Sequence, residues 1–500
     1  MTMKATGYQA IIARFSLQAV PPHCCSWIYG KSERLTQQND DSVEEYYSLR
    51  YDPGEGWEAE LGFALRHEGV ELGILAAFFA VLEPEDLVSW INTSPTGRYT
   101  RLAWYLYELL TGTRLSLPDL EQGNYVAVLD PVAYYCMPGF RVRRQRVLDN
   151  LLGVRDWCPT VRRTRNLDNF AAQDLAGKAA ERLRRYPESL LTRASTYLYT
   201  RETKSSFALE QLEPDTRRAA VFVALLRQAG TRSFLSQEAL VQLQRSIVDA
   251  RYADDSYRHD QNYVGESLGP NRELVHYVPP RPQELEALMD GWIAACSKMV
   301  DSDVDPVVTA AVEGFGFVFL HPFGDGNGRI HRFLVHHVLA RRGFVPPDLI
   351  FPVSAAMLRN RRHYDEILER YSRAFMPWID YILDDRGAMT VRNDTSAFYR
   401  YPDLTLQAEA LYGFVRDTID CELVAELDFL VAYDAVKRRM VTVVDMPDRR
   451  ADLFIRLCLQ GKGRLSKTRR DQFPELTDTE LEQLESIVTE EITTLPDSVA

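Results

Sequence analysis

Twelve residues, His321-Pro322-Phe323-Gly324-Asp325-Gly326-Asn327-Gly328-Arg329-Ile330-His331-Arg332, gather a proton acceptor, a hard-cation ligand, a glycine-rich turn and two arginines. Glycines let backbone N–H groups come close to an anion, and a helix starting beside them adds the positive end of its dipole. Arg329 and Arg332 lie three apart, which on a helix puts them on one face. Ile330, Phe333, Leu334 and Val338 fall on the other face and predict a helix whose burial holds the arginines still. These residue types suit a grip on a polyphosphate through Mg²⁺, with His321 activating an attacking group.

Other elements must deliver those side chains. Pro306 suits the first turn of a helix, and the apolar spacing of Val307, Val308, Val312 and Phe315 carries that helix to Leu320, with His321 at its end. The motif helix is predicted to reach Arg342, where Gly343 and Pro346-Pro347 stop it, and a further helix is expected from His363 to Ile382. Between Asn262 and Pro280, two strand-like runs flank Gly269-Pro270-Asn271, which reads as a hairpin.

Residues 1 to about 185 read mainly as helices, over Trp57 to Ala80 and Arg98 to Thr111, with a short strand within Gly123 to Asp130. His67, alone in that region, is expected to be structural. Near the other end, helical runs over Leu453 to Leu459 and Leu476 to Val488 flank a basic turn, Gly461 to Arg470. That short basic run reads as a solvated turn and does not fit the P-loop spacing.

Composition limits the classes open to the chain. Its 500 residues exceed one core, so roughly two to four domains are expected. A hydrophobic content of 46% with 26% charged residues is that of an ordinary globular protein, and no apolar run reaches the roughly eighteen residues of a membrane span. The first twenty residues lack a signal-peptide core. Seven scattered cysteines without a CxxC pair predict reduced thiols and a cytoplasmic setting. The net charge of −13 argues against general binding to nucleic acid. His331, His336 and His337 are spaced by one, five and six, which does not fit a helical metal pair, so packing or surface roles are expected.

The segment His321 to Arg332 resembles the HPFxDGNGRxxR motif of the Fic (filamentation induced by cAMP) family at every defining position. The resemblance implies a mainly α protein: a Fic-type helical bundle with a β-hairpin flap over 186–385. Before it would come a mainly helical N-terminal extension (1–185), and after it a connecting segment (386–440) and a winged-helix-like tail (441–500). It implies a protein adenylyltransferase, transferring AMP from ATP to a Ser, Thr or Tyr hydroxyl of a target protein. His321 would take the hydroxyl proton and Asp325 would hold Mg²⁺. Asn327 and the loop of Phe323, Gly324, Gly326 and Gly328 would bind the phosphates. Arg329 would contact the phosphate chain, and Arg332 the γ-phosphate.

Further inferences follow from the same resemblance. Glycine at 328, where the death-on-curing branch carries lysine, points to adenylyl rather than phosphoryl transfer. The hairpin corresponds to a flap that pairs with an extended segment of the target. Ser206 and Glu210 resemble the inhibitory [S/T]xxxE[G/N] motif, whose glutamate pairs with the second arginine and blocks the γ-phosphate. Gln211 departs from the pattern's last position. Alternatives left open are a hydrolase removing AMP, another donor such as UTP, and a DNA-binding regulator with a vestigial site acting through the tail. A homodimer also stays open.

Overall fold

The computed structural model describes residues 3–39, 42–269, 272–346, 348–461 and 463–492. It is mainly α, with four small sheets among the described residues. The chain forms two compact units and passes between them more than once: residues 1–169, 228–342 and 362–411 in one, and 170–227, 343–361 and 412–500 in the other.

In the first unit, the helix over Arg98–Thr111 lies where its apolar spacing put it, while the stretch from Trp57 to Ala80 is two helices, Trp57–His67 and Leu72–Phe79. The break falls at Gly69, whose φ of 95° belongs to the left-handed side that favours glycine. Trp57, Leu61, Leu75, Phe78 and Trp104 pack into one core. His67 sits in an aromatic cluster, with ring centroids 4.7 Å from Phe63 and 5.3 Å from Tyr47.

The helical reading of this region omitted a four-stranded sheet, ordered Lys4–Thr6, Cys24–Tyr29, Val43–Ser48 and Leu35–Gln38, with its two central strands parallel. Alternating burial at Ser26 and Ile28, and at Glu45 and Tyr47, is the strand period that the helical reading passed over. The short strand near Gly123 is present as Val126–Ala127.

Two helices form the scaffold of the motif. Pro282–Val300 packs on Pro306–Leu320, which in turn packs on Asn327–Arg341. Gly291 and Gly316 leave a notch that Trp157 fills. A Cβ on Gly316 would lie 2.7 Å from Trp157 Cζ2, and one on Gly291 would lie 2.6 Å from the Trp157 backbone nitrogen. Gly316→Ala should therefore lower stability by about 1–3 kcal/mol through overpacking, although alanine is the better helix former. Urea unfolding of both proteins checks this, and an alanine variant as stable as wild type contradicts it.

The helix expected over His363 to Ile382 is shorter. It runs Arg361–Arg373, followed by a 3₁₀ turn at Met376–Trp378 and a strand, Tyr381–Leu383, paired with Met389–Val391. Pro377 lacks the N–H that a continuing helix needs.

In the second unit, the helix Glu188–Leu209 packs on Val353–Arg359 and Leu423–Val443. Arg201 pairs with Glu422 and Glu426, and Arg359 reaches Glu422 at 2.6 Å. The tail helices Asp448–Gln460, Lys467–Arg470 and Asp478–Ile492 gather around Phe454, Ile455 and Leu484. Among the described residues of the tail there is no strand that could form the wing of the winged-helix-like arrangement expected there.

Within the basic turn, Arg470 pairs with Glu485 at 2.8 Å and Arg469 donates to the Leu457 carbonyl. Among the described residues, no helix is long and apolar enough to cross a membrane.

Candidate functional site

Asp305 accepts hydrogen bonds from the Val307 and Val308 amides, and Pro306 follows at the first helical position. This cap fixes where the helix starts, and hence which residue stands at its end. That residue is His321, in the left-handed conformation (φ 50°, ψ 56°), with its N–H donating to the Phe317 carbonyl. The conformation is strained for a non-glycine residue by roughly 1–3 kcal/mol, so its surroundings must hold it.

The His321 ring is half-buried, and Nδ1 lies 3.1 Å from the Val318 carbonyl. A carbonyl can only accept, so Nδ1 carries the proton and Nε2 keeps its lone pair. Burial, with the Arg258 guanidinium beside it, pushes the imidazole pKa down to about 4, partly offset by Asp325. The ring is therefore a neutral acceptor near neutral pH.

The loop after His321 is closed by Asn327, whose side chain accepts from the Phe323 amide (3.1 Å) and donates to the Phe323 carbonyl (2.8 Å). The Asn327 side chain thus shapes the loop. Gly326 caps the motif helix at φ 89°, and a Cβ there would lie 2.8 Å from Val248 Cγ1. The helix has no side-chain N-cap bond, so the amides of Asn327 and Gly328 begin it without intrahelical partners. Such donors at the positive end of a helix dipole suit an anion.

Asp325 Oδ1 accepts from the Gly326 amide (2.6 Å) and from Arg329 Nη2 (2.8 Å). The Asp325 side chain is 45% exposed, so the rest of the carboxylate faces solvent. One solvent-facing carboxylate beside the start of a helix fits a cation that takes few protein ligands and completes its shell from phosphates and water. Among the described residues, no group of three or more His, Cys, Asp or Glu could hold a metal by itself.

Arg329 is 1% exposed and also donates to the Ile247 carbonyl, and Arg332 is 3% exposed. The motif helix is therefore buried on the arginine face as well as on the face of Ile330 and Leu334. His331, His336 and His337 are buried too, which removes the surface alternative. His331 lies against Phe315 (4.6 Å between centroids), and His337 Nδ1 meets the Ala229 carbonyl at 2.6 Å.

The hairpin forms from Val264–Gly269 and Arg272–Tyr277, paired antiparallel with the first strand largely exposed and the second partly buried. Pro270 and Asn271 of its expected turn lie outside the described residues. Its stem is fastened beside the motif: Tyr277 Oη donates to the Phe319 carbonyl, and Asn262 Nδ2 to the Phe323 carbonyl.

Ser206 and Glu210 belong to the second unit. Ser206 is fully buried in the last turn of Glu188–Leu209, and Glu210 is the half-exposed C-cap. Gln211 then takes φ 59°, a left-handed position where the pattern's Gly or Asn would be relaxed.

Several neighbours of the loop carried no signal in the sequence. Asp254 Oδ2 accepts from the Gly324 amide (2.9 Å), and Gln244 Nε2 reaches Asp254 Oδ2 and the Asp325 carbonyl. Arg258 holds the His321 carbonyl. All three stand alone in sequence, outside any spacing pattern.

The sequence profile of the Fic/DOC family matches residues 234–339, which contain the helix, loop and hairpin just described. The protein adenylyltransferase Fic of Culex quinquefasciatus is 30% identical over 131 residues, 26% of this chain and 22% of that protein. The protein of the same name from Drosophila willistoni is 36% identical over 94 residues, 19% and 17% of the two chains. The chain thus spans about a fifth of the length of these relatives. Among solved structures, a Fic family protein from Desulfovibrio desulfuricans G20 is 17% identical, covers 65% of this chain and 85% of its own, and has a TM-score of 0.37.

Proposed function

We propose that this chain, which carries a Fic/DOC-family domain at residues 234–339, is a cytoplasmic protein adenylyltransferase that moves AMP from ATP to a hydroxyl side chain of a target protein. The observation that carries the reading is the pairing of a neutral imidazole with the glycine-rich start of a buried helix on one short loop. The target oxygen attacks the α-phosphorus as its proton passes to His321 Nε2. The bond from that phosphorus to the bridging oxygen breaks, and pyrophosphate leaves with the electron pair.

The amides of Asn327, Gly328 and Arg329, with Arg329 and Arg332, offset the charge of the phosphate chain. Asp325 would hold Mg²⁺, which when bound would supply further neutralisation of phosphate charge. The exposed flap would register an extended target segment by strand addition, which demands little of the target's sequence. Incubating a lysate with the protein and isotope-labelled ATP tests the reading. AMP-sized mass shifts on discrete proteins support it, and incorporation of no nucleotide, or of a different one from UTP, overturns it.

Self-inhibition through Glu210 belongs to the proposal. Glu210→Gly should raise transfer by about 5- to 150-fold, the range of an ordinary coupling energy between sites. The gain should vanish when Arg332→Ala is added. Measured on self-modification with labelled ATP, unchanged transfer would refute the inhibitory role. Unchanged transfer with loss of AMP removal from a modified protein would favour the hydrolase instead.

A further inference from the structure

Arg258 is buried, at 7% exposure, and among the described residues it forms no ion pair. Its guanidinium donates only to carbonyls: Nε to His321 at 2.9 Å, Nη1 to Asp260 at 3.1 Å and Nη2 to Pro280. Its own backbone N–H reaches the Pro322 carbonyl at 2.8 Å. Asp260 precedes the first flap strand and Pro280 follows the second, so one side chain ties both ends of the flap to the backbone of His321.

A buried charge with no carboxylate in contact is costly, even with Glu284 attracting it from a longer range, and an apolar side chain would fill the same volume more cheaply. What an apolar side chain lacks is a rigid fork of donors able to reach three carbonyls at once. The His321 carbonyl also ends the helix Pro306–Leu320, where a cation offsets the negative end of the dipole. The strained left-handed conformation of His321 thus has a specific clamp.

We infer that Arg258 is a positioning residue that locks His321 to the flap, setting where a target hydroxyl meets the imidazole. In this role it would touch neither nucleotide nor target, since its guanidinium donates to backbone carbonyls. It acts through the backbone it holds, and a flap that shifted independently of His321 would present the hydroxyl at the wrong distance. Misplacement by about 1 Å can cost on the order of 10²-fold in rate. The inference rests on the adenylyltransferase reading for its activity arm only.

Two variants test it: Arg258→Lys, which keeps the charge without the fork, and Arg258→Gln, which keeps planar donors without the charge. Transfer at saturating ATP should fall by roughly 10- to 100-fold in each while ATP affinity by calorimetry stays at the wild-type value. In ¹⁵N-histidine spectra, the His321 signals, assigned through His321→Ala, should show a single Nδ1–H tautomer in wild type and a mixture in the variants. The charged groups facing that ring are Arg258 and Asp325, so the Lys variant separates loss of geometry from loss of charge.

Wild-type transfer rates and an unchanged tautomer in a folded variant overturn the inference, as does failure of both variants to fold, which would leave Arg258 a purely stabilising role. If the wild-type protein transfers no AMP, the adenylyltransferase reading fails. The imidazole spectra then still decide whether Arg258 positions His321.

Discussion

Replacing His321 by alanine should cut AMP transfer by about 10²- to 10⁴-fold, the usual worth of a general base, with ATP still bound. The two properties separate because they rest on different atoms. In the proposed mechanism nucleotide binding would draw on the amides that open the helix Asn327–Arg341 and on Arg329, whereas proton removal would need His321 Nε2.

The same geometry gives an expectation for pH. Burial and Arg258 push the imidazole down to about 4, so Nε2 stays unprotonated as pH falls through the ordinary histidine range. The acid limb of kcat/KM should therefore lie well below pH 6.5, with activity lost as pH approaches about 4. Transfer assays with labelled ATP, run from pH 4 upward beside a binding assay for ATP, read both effects. An alanine variant that transfers at the wild-type rate would remove His321 from the mechanism. An acid limb near 6.5 would mean that the ring is solvated when nucleotide is bound.

Changing Asp325 to asparagine should lower transfer on the order of 10²-fold at ordinary Mg²⁺ and move the Mg²⁺ requirement upward, with excess metal rescuing in part. Asparagine keeps an oxygen for the Gly326 amide and for Arg329, so the loop and the buried guanidinium retain their neutral contacts. What disappears is the charge that a hard cation seeks. If Asp325 only shapes the loop, asparagine should be nearly silent, and alanine should lower stability by about 1–3 kcal/mol by stranding a buried donor. Titrating Mg²⁺ against transfer for wild type, Asp325→Asn and Asp325→Ala, with melting temperatures in parallel, separates these. A wild-type Mg²⁺ profile in the asparagine variant would end the metal role.

Much of the site was legible because its information is local. Asp305-Pro306 starts one helix and Arg342-Gly343 ends the next through contacts within a few residues, and the two boundaries lie close to where the sequence puts them. The glycines of the loop answer to local geometry as well, with Gly326 on the left-handed side of φ. The hairpin follows from two strand-like runs around a turn.

Other features are set by partners far along the chain. His363 to Ile382 has helical spacing throughout, yet Pro377 ends the helix and Tyr381–Leu383 finds a strand partner in Met389–Val391. In the N-terminal region, Cys24–Tyr29 pairs in parallel with Val43–Ser48, a choice that no turn in the sequence announces.

By itself, then, the sequence determined the glycine-rich loop, the imidazole that ends one helix, and the arginines that follow on the next. Side-chain identity and spacing within a dozen residues are sufficient for that. Only the tertiary structure decided what surrounds the loop. Arg258 meets the His321 carbonyl across 63 residues, Gln244 meets the Asp325 carbonyl across 81, and Trp157 fills the notch of Gly291 and Gly316. The tautomer and low pKa of His321 follow from those surroundings, because an imidazole has no fixed acidity until its burial and neighbouring charges are set. Lone polar residues carry no periodicity, so their partners are chosen when helices and loops pack.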